Sequence, residues 1–230
     1  MNEVTQKKIV IAIDGPAGAG KSTIASHLAR KLGYINLESG AMYRALGLKA
    51  LETGTSVEDG VALLALTESS RIELIATPSG NRVMLDGRDV STQIRERDVT
   101  DAASRVSTHP QVRTWMVEHQ RAMGANGGVI MEGRDIGTVV FPNAEVKIFL
   151  DADQSVRAGR RIVQHNAQDD PQHAGRLIAD LHERDRRDST REASPLKAAA
   201  DAVHIDSTGL NIDEVTAAVE RVVEERMRNR

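Results

Sequence analysis

Gly15-Pro-Ala-Gly-Ala-Gly-Lys-Ser-Thr23 follows at once on the apolar run Ile9-Val-Ile-Ala-Ile13. The spacing G-x-x-x-x-G-K-S, entered from a strand and left by a helix, is that of a loop that holds nucleotide phosphates. Gly15, Gly18 and Gly20 let the backbone turn its N–H groups inward around an anion, and a helix from Lys21 adds the positive end of its dipole. Lys21 is placed to reach the β- and γ-phosphates, and Ser22 to ligate Mg2+. Pro16, Ala17, Ala19 and Thr23 complete the loop. These nine residues leave open where the terminal phosphate goes: to water, to a protein switch, or to a second small molecule.

Outward from the loop, five short apolar runs read as buried parallel strands: Ile9–Ile13, Tyr34–Leu37, Val129–Met131, Val146–Leu150 and Ala202–Ile205. Helix-like segments alternate with them, which predicts a doubly wound α/β fold with a five-stranded parallel sheet. Ligands in such folds gather at the carboxyl ends of the strands. The strand exits here are Asp14-Gly15, Glu38-Ser39-Gly40, Glu132-Gly-Arg-Asp135, Asp151-Ala-Asp153 and Asp206-Ser207, nearly all carrying a carboxylate. The expectation is one domain over residues 1–230 with two interruptions. The first, about Leu66 to Arg97, alternates polar and apolar residues in Arg71–Ile75 and Arg82–Asp86 around Thr77-Pro-Ser-Gly-Asn81, and reads as an inserted antiparallel hairpin with one wet face. The second, about Arg157 to Pro195, holds eight Arg and no Lys, and reads as an arginine-rich lid or as a solvated amphipathic helix. A helix from Ile212 to about Met227 carries Val215, Ala218/Val219, Val222 and Val223 at helical spacing.

Composition narrows the class. A net charge of −3 argues against a chain that coats nucleic acid. The basic residues are 23 Arg against 7 Lys, a bias suited to planar capture of phosphate or carboxylate. The absence of cysteine removes disulfides and thiolate chemistry and fits a reducing compartment. The N-terminal MNEVTQKK leads into no long apolar segment, so neither a signal peptide nor a membrane span is expected, and the cytoplasm is the expected location. A monomer is expected.

Hydrolytic and switch classes add an hhhhD strand for Mg2+. Lys147-Ile-Phe-Leu-Asp151 and Val203-His-Ile-Asp206 both fit, which singles out neither, and the guanine-pairing N-K-x-D is absent. More telling are three separated arginine-bearing loops: Glu38-Ser-Gly-Ala-Met-Tyr-Arg44, Glu132-Gly-Arg-Asp-Ile-Gly137 and Glu183-Arg-Asp-Arg-Arg-Asp-Ser-Thr-Arg191. One nucleotide does not need so many guanidinium groups; an acceptor with its own phosphate does, because fixed cations overcome the repulsion between two polyanions. Taken singly, Arg44 or Arg134 could instead serve a salt bridge. Ser104 falls in a plausible helix, Asp98–Ser107. The next helix opens at Pro110 and runs to Met123, with Val112, Trp115/Met116 and His119 on its core face and Arg113 off that stripe.

In combination the motifs are specific. GPAGAGKST, SGAMYR, Ala102-Ala-Ser104 separated by eight residues from Arg113, GRDIGTVVFP and ERDRRDSTR occur in an order that resembles the bacterial cytidylate kinases over almost the whole chain. The resemblance implies a P-loop kinase fold with a monophosphate-binding insertion and a lid, and transfer of the γ-phosphate of ATP, with Mg2+, to CMP or dCMP. It implies that Lys21, Arg134 and Arg191 are catalytic. Arg44, Arg134 and Arg191 would hold the acceptor phosphate and the charge in transit; Ser39, Ser104, Arg113 and Asp135 would surround cytosine; Arg184 and Asp188 would reach the ribose; Arg157 would lie near the donor phosphates. The family often has Asp before SGA, where this chain has Glu38.

Overall fold

The computed structural model describes residues 8–77 and 80–228. In chain order the elements are β1 (Val10–Asp14), α1 (Lys21–Leu32), β2 (Ile35–Glu38), α2 (Ser39–Thr53), α3 (Gly60–Glu68), β3 (Ile72–Thr77), β4 (Gly80–Leu85), β5 (Arg88–Asp89), α4 (Arg97–Val106), α5 (Pro110–Gly124), β6 (Val129–Gly133), β7 (Val146–Asp151), α6 (Gln154–Gln164), α7 (Pro171–Thr190), β8 (Val203–Asp206) and α8 (Ile212–Arg228). The expected hairpin turn residues Pro78 and Ser79, and the first seven residues, lie outside the described residues.

The main sheet is parallel, in the order β2-β6-β1-β7-β8. β1 is central because it is apolar on both faces: Ile11, Ala12 and Ile13 have no exposed surface. The chain leaves β1 toward β2 on one side and returns through β7 on the other, so the crevice at its carboxyl end is the switch point where ligands bind. One face is covered by α1 and α8, through Ile24, Leu28, Val215, Val219 and Val223. Each such large side chain contributes about 1.5–3 kcal/mol on burial. The other face carries Leu37, Val117, Met131, Ile136 and Val140.

The insertion is a three-stranded antiparallel sheet, β3-β4-β5, whose Ile72, Val83 and Leu85 are buried against α2, α4 and α5. Its strands run two residues nearer the turn than the alternating pattern suggests, because backbone pairing continues to Thr77↔Gly80 after the side-chain alternation fades. β5 was not anticipated. Asp86 and Gly87 both adopt positive φ, 51° and 81°, and form the two-residue turn that pairs Leu85 with Arg88.

The core face of α5 corrects a sequence expectation. Its buried side chains are Val112, Arg113, Met116, Val117 and Gln120, so Arg113 belongs to the buried stripe instead of lying off it. The helix is covered on two sides, by the α2 core and by the loop after β6, which shifts the buried arc by one residue. Trp115 and His119 sit at its edge, partly exposed, with ring centroids 3.5 Å apart. Among the described residues no helix is long and apolar enough to cross a membrane.

Candidate active site

A cleft of about 1080 Å³ opens above the carboxyl ends of β1, β2 and β6. That is at or above the upper end for a single small-molecule pocket, ~300–1,000 Å³. Its wall includes the loop before α1, the start of α2, α4, the loop after β6, and the inner faces of α6 and α7.

On the loop side, Gly15 must be glycine: at φ 147° an added Cβ would lie 1.9 Å from the Leu150 carbonyl oxygen. Gly20 caps α1 at φ 96° with no side-chain partner, leaving first-turn N–H groups for an anion. Lys21 is buried, with Nζ donating to the Pro16 carbonyl at 2.7 Å. Burial and the nearby Arg134 hold its pKa well below the usual lysine range, against the pull of Glu132 and Asp14. Ser22 lies exposed at the mouth of the loop and lines the cleft.

Arg157 sits behind the loop. Its Nε donates to the Ala152 carbonyl at 2.9 Å, and its Nη1 to the Ala17 carbonyl at 3.1 Å and to Asp185 on α7 at 2.5 Å. It is buried against the loop's backbone and is not part of the cleft wall. One helical turn on, Arg161 does line the cleft, hydrogen-bonded to Gln164 and facing the positive Arg44.

Glu132 lies near the end of β6, in register with Ile13 of β1 and Glu38 of β2. It is 4 % exposed, and its Oε1 has no partner. Burial and the Glu38 charge push its pKa up, while Lys21 and Ser22 oppose the shift. Glu132 is the strand-exit carboxylate that lies buried beside Lys21 and Ser22, where the sequence offered Asp151 and Asp206. Those two are exposed and cap local turns, at Ala152 N–H and Thr208 N–H respectively. An unpartnered carboxylate oxygen near an exposed serine hydroxyl fits a hard divalent cation. Among the described residues no group of three His, Cys, Asp or Glu could hold an ion unaided, so nucleotide oxygens and water would complete the shell.

On the far side, Ser39 donates to the Glu132 carbonyl at 2.7 Å, and Arg44 pairs with Glu38. Burial alone would raise the Glu38 carboxyl, yet Arg44, Arg95 and Arg184 hold it below its usual range. The longer Glu side chain therefore reaches Arg44 while Ser39 stays anchored. Arg134 Nε donates to Asp188 Oδ2 at 2.8 Å, and Arg191 Nη1 lies 3.4 Å from Asp188 Oδ1. Asp188 thus gathers arginines from two elements. Arg184, half-buried beside them, is pushed down to about 10 by burial and by Arg134.

Deeper in, Arg113 and Asp135 form a buried ion pair, 3 % and 5 % exposed, with Arg113 Nη1 also donating to the Ser107 carbonyl at 3.1 Å. Around them Ser104 Oγ, Tyr43 Oη, Arg113 Nε and Arg191 Nη2 are buried without a hydrogen-bond partner, Arg191 Nη2 lying 3.9 Å from Asp135 Oδ1. Unmet polar atoms are costly unless a ligand satisfies them, and a heterocycle edge would do so. Sequence reasoning missed Tyr43, although it stands inside the SGAMYR motif, and it missed Asp14, Glu132 and Arg161. Asp14 is pushed up to about 6 by burial, against hydrogen bonds from the Gly137 and Ile136 amides.

Known proteins resemble this chain over its whole length. A family model described as cytidylate kinase matches residues 11–225. A cytidylate kinase of Geobacillus thermodenitrificans is 49% identical over 96% of this chain and 99% of its own. One from Solibacter usitatus is 47% identical over 100% and 98%, and one from Enterococcus faecalis 47% over 95% and 97%.

Proposed function

The chain belongs to the cytidylate kinase family, and from that premise we propose that it transfers the γ-phosphate of ATP to CMP or dCMP, releasing ADP and CDP or dCDP. The observation that carries this reading is the second, arginine-lined half of the cleft, ending in a buried polar pocket apart from the phosphate loop.

Gly15 to Thr23 cradle the ATP phosphates. Lys21 bridges toward the acceptor and stabilises charge on the moving group. Arg157 acts on the donor through Ala17, bracing the loop from behind. Ser22 and Glu132 would hold Mg2+, which when bound adds positive charge at the donor phosphates. Arg44, Arg134 and Arg191 receive the acceptor phosphate, joined by Arg161 from the lid. Arg184 and Asp188 meet the ribose. Ser39 is the anchor at the mouth of the acceptor half. Ser104, Arg113 and Asp135 read cytosine: Asp135 accepts from the C4 amine and Arg113 donates to N3 or O2.

Catalysis is positioning plus electrostatics, since a phosphate acceptor needs no strong base. The segment 157–195 closes over both nucleotides as a lid, and the insertion of about 66–97 closes on the monophosphate side. The enzyme works as a cytoplasmic monomer and takes no nucleic acid. Coupled ADP release with CMP, dCMP, UMP and AMP offered one at a time tests the reading. CMP and dCMP should give rapid release, and a chain that releases ADP equally without any acceptor is not this enzyme.

A further inference from the structure

Asp14 ends β1 and is 4 % exposed, yet among the described residues it makes no ion pair. Both of its carboxylate oxygens go to one neighbouring loop: Oδ1 accepts from Ile136 N–H at 2.8 Å and Oδ2 from Gly137 N–H at 2.7 Å. The first of these N–H groups belongs to the peptide joining Asp135 to Ile136. The carbonyl oxygen of that same peptide accepts from Val139 N–H at 2.9 Å and Val140 N–H at 3.2 Å. The peptide plane behind Asp135 is therefore held at both ends, with Asp135 itself at φ −145°, ψ 23°. Packing removes the remaining slack. A Cβ added at Gly133 would lie 2.7 Å from Ile136 Cδ1, and one at Gly137 would lie 3.3 Å from Asp14 Oδ2.

We infer that Asp14, although it stands at the root of the donor's phosphate loop, is a positioning residue for the acceptor base, acting through the backbone of Asp135. The inference rests on the reading of Asp135 as a cytosine contact. A carboxylate suits the task because its two oxygens match two successive N–H groups, and charge-assisted bonds are about twice as strong as neutral ones. An amide in its place has one acceptor oxygen and turns a donor toward the other N–H. Asp135 is gripped from its side-chain end as well, by Arg113 on α5. Asp14 and Arg113 thus fix one residue from opposite directions, and rotation of its peptide plane would carry the carboxylate away from the cytosine amine. The residue that ends β1 so transmits the geometry of the central strand to base selection.

The test compares Asp14→Asn, Asp14→Ser and Asp135→Ala with the unaltered chain, reading kcat/KM for CMP and UMP, KM for ATP, and the thermal midpoint. Leaving a buried N–H without its acceptor should raise the KM for CMP roughly ten- to hundredfold in Asp14→Asn. The CMP/UMP ratio should shrink in the same direction as in Asp135→Ala, while the KM for ATP stays close to that of the unaltered chain. Asp14→Ser keeps one oxygen and admits water, so it should fall between; it carries the same comparison if the Asn variant does not fold. A merely structural role would lower the midpoint and raise both KM values together, and that result overturns the inference. A narrowed ratio in Asp135→Ala without one in the Asp14 variants also overturns it, and leaves the cytosine reading standing. An unchanged ratio in Asp135→Ala removes the cytosine reading itself, and the inference with it.

Discussion

Arg157 Nη1 lies 3.1 Å from the carbonyl oxygen of Ala17, so α6 is tied to the phosphate loop. The same nitrogen donates to Asp185 on α7. Hydrogen bonds from a charged donor are worth about 1.5–3 kcal/mol, or roughly ten- to hundredfold in an equilibrium constant. Arg157→Ala should therefore raise the KM for ATP by about that factor while changing the KM for CMP much less. Initial-rate kinetics with each substrate varied in turn would show this. A rise confined to CMP would mean that Arg157 serves the acceptor side.

Lys21 bonds to the Pro16 carbonyl and neighbours both Arg134 and Glu132. In the proposed mechanism it stabilises charge on the moving phosphoryl group, and the proposed acceptor pocket is built from other elements. Lys21→Ala should abolish nearly all transfer yet bind CMP with little change by calorimetry. Near-normal turnover in this variant would remove the phosphate loop from catalysis.

Arg134 and Arg191 share Asp188, whereas Arg176 is exposed on the outer part of α7. Arginines that clamp a transferring phosphoryl group can be worth roughly 10³–10⁵ in rate. Arg134→Ala and Arg191→Ala should approach losses of that order, with Arg176→Ala nearly silent. Comparable losses in all three would point to general electrostatics in place of a clamp.

The phosphate loop was legible from its glycine and lysine spacing, and the five parallel strands as short, mostly apolar runs, unbroken in β1 and β6 where both faces are covered. The three arginine-bearing loops were legible as motifs, and the structure brings Arg44, Arg134 and Arg191 to one cleft. Glu132 and Asp14 were not, although both were visible as polar strand exits. Their work depends on β6 lying beside β1, and strand order is not written in any local pattern. The local hhhhD pattern matches β7 and β8 equally and singles out neither Asp151 nor Asp206. The burial of Arg113 was missed because a stripe assignment places charged residues outward, and it is the Asp135 partner, 22 residues away, together with the Ser107 carbonyl, that makes its burial tolerable. The short β5 was missed because two paired residues give no alternation.

Asp14 also predicts a pH signature. Burial pushes its pKa from 3.8 up to about 6, so the folded chain binds this proton more tightly than the unfolded one. The stability it contributes is complete below about pH 4 and is lost as pH rises through about 6. A rise of that size makes ionising the buried carboxyl cost about 3 kcal/mol more than in the unfolded chain. The stability of the unaltered chain minus that of Asp14→Asn should therefore fall by roughly this amount between pH 4 and pH 7, read from urea unfolding at each pH. A difference that stays flat would show that Asp14 ionises in the fold as readily as in water, and one that grows with pH that it ionises more readily there.

The central claim is that the buried Arg113–Asp135 pair and its unpaired neighbours are shaped for cytosine. Uracil presents a carbonyl where cytosine has its C4 amine, and a donor where cytosine has the N3 acceptor. Each substitution would leave a buried polar group opposed, and sites built on such bonds discriminate by roughly 10⁴–10⁵. The 2′-hydroxyl matters less, since Asp188 and Arg184 can still hold a 3′-hydroxyl. The most direct measurement is kcat/KM for CMP, dCMP, UMP and AMP on the unaltered chain. CMP and dCMP should both be good acceptors and exceed UMP and AMP by orders of magnitude; a preference for UMP or AMP would contradict the account.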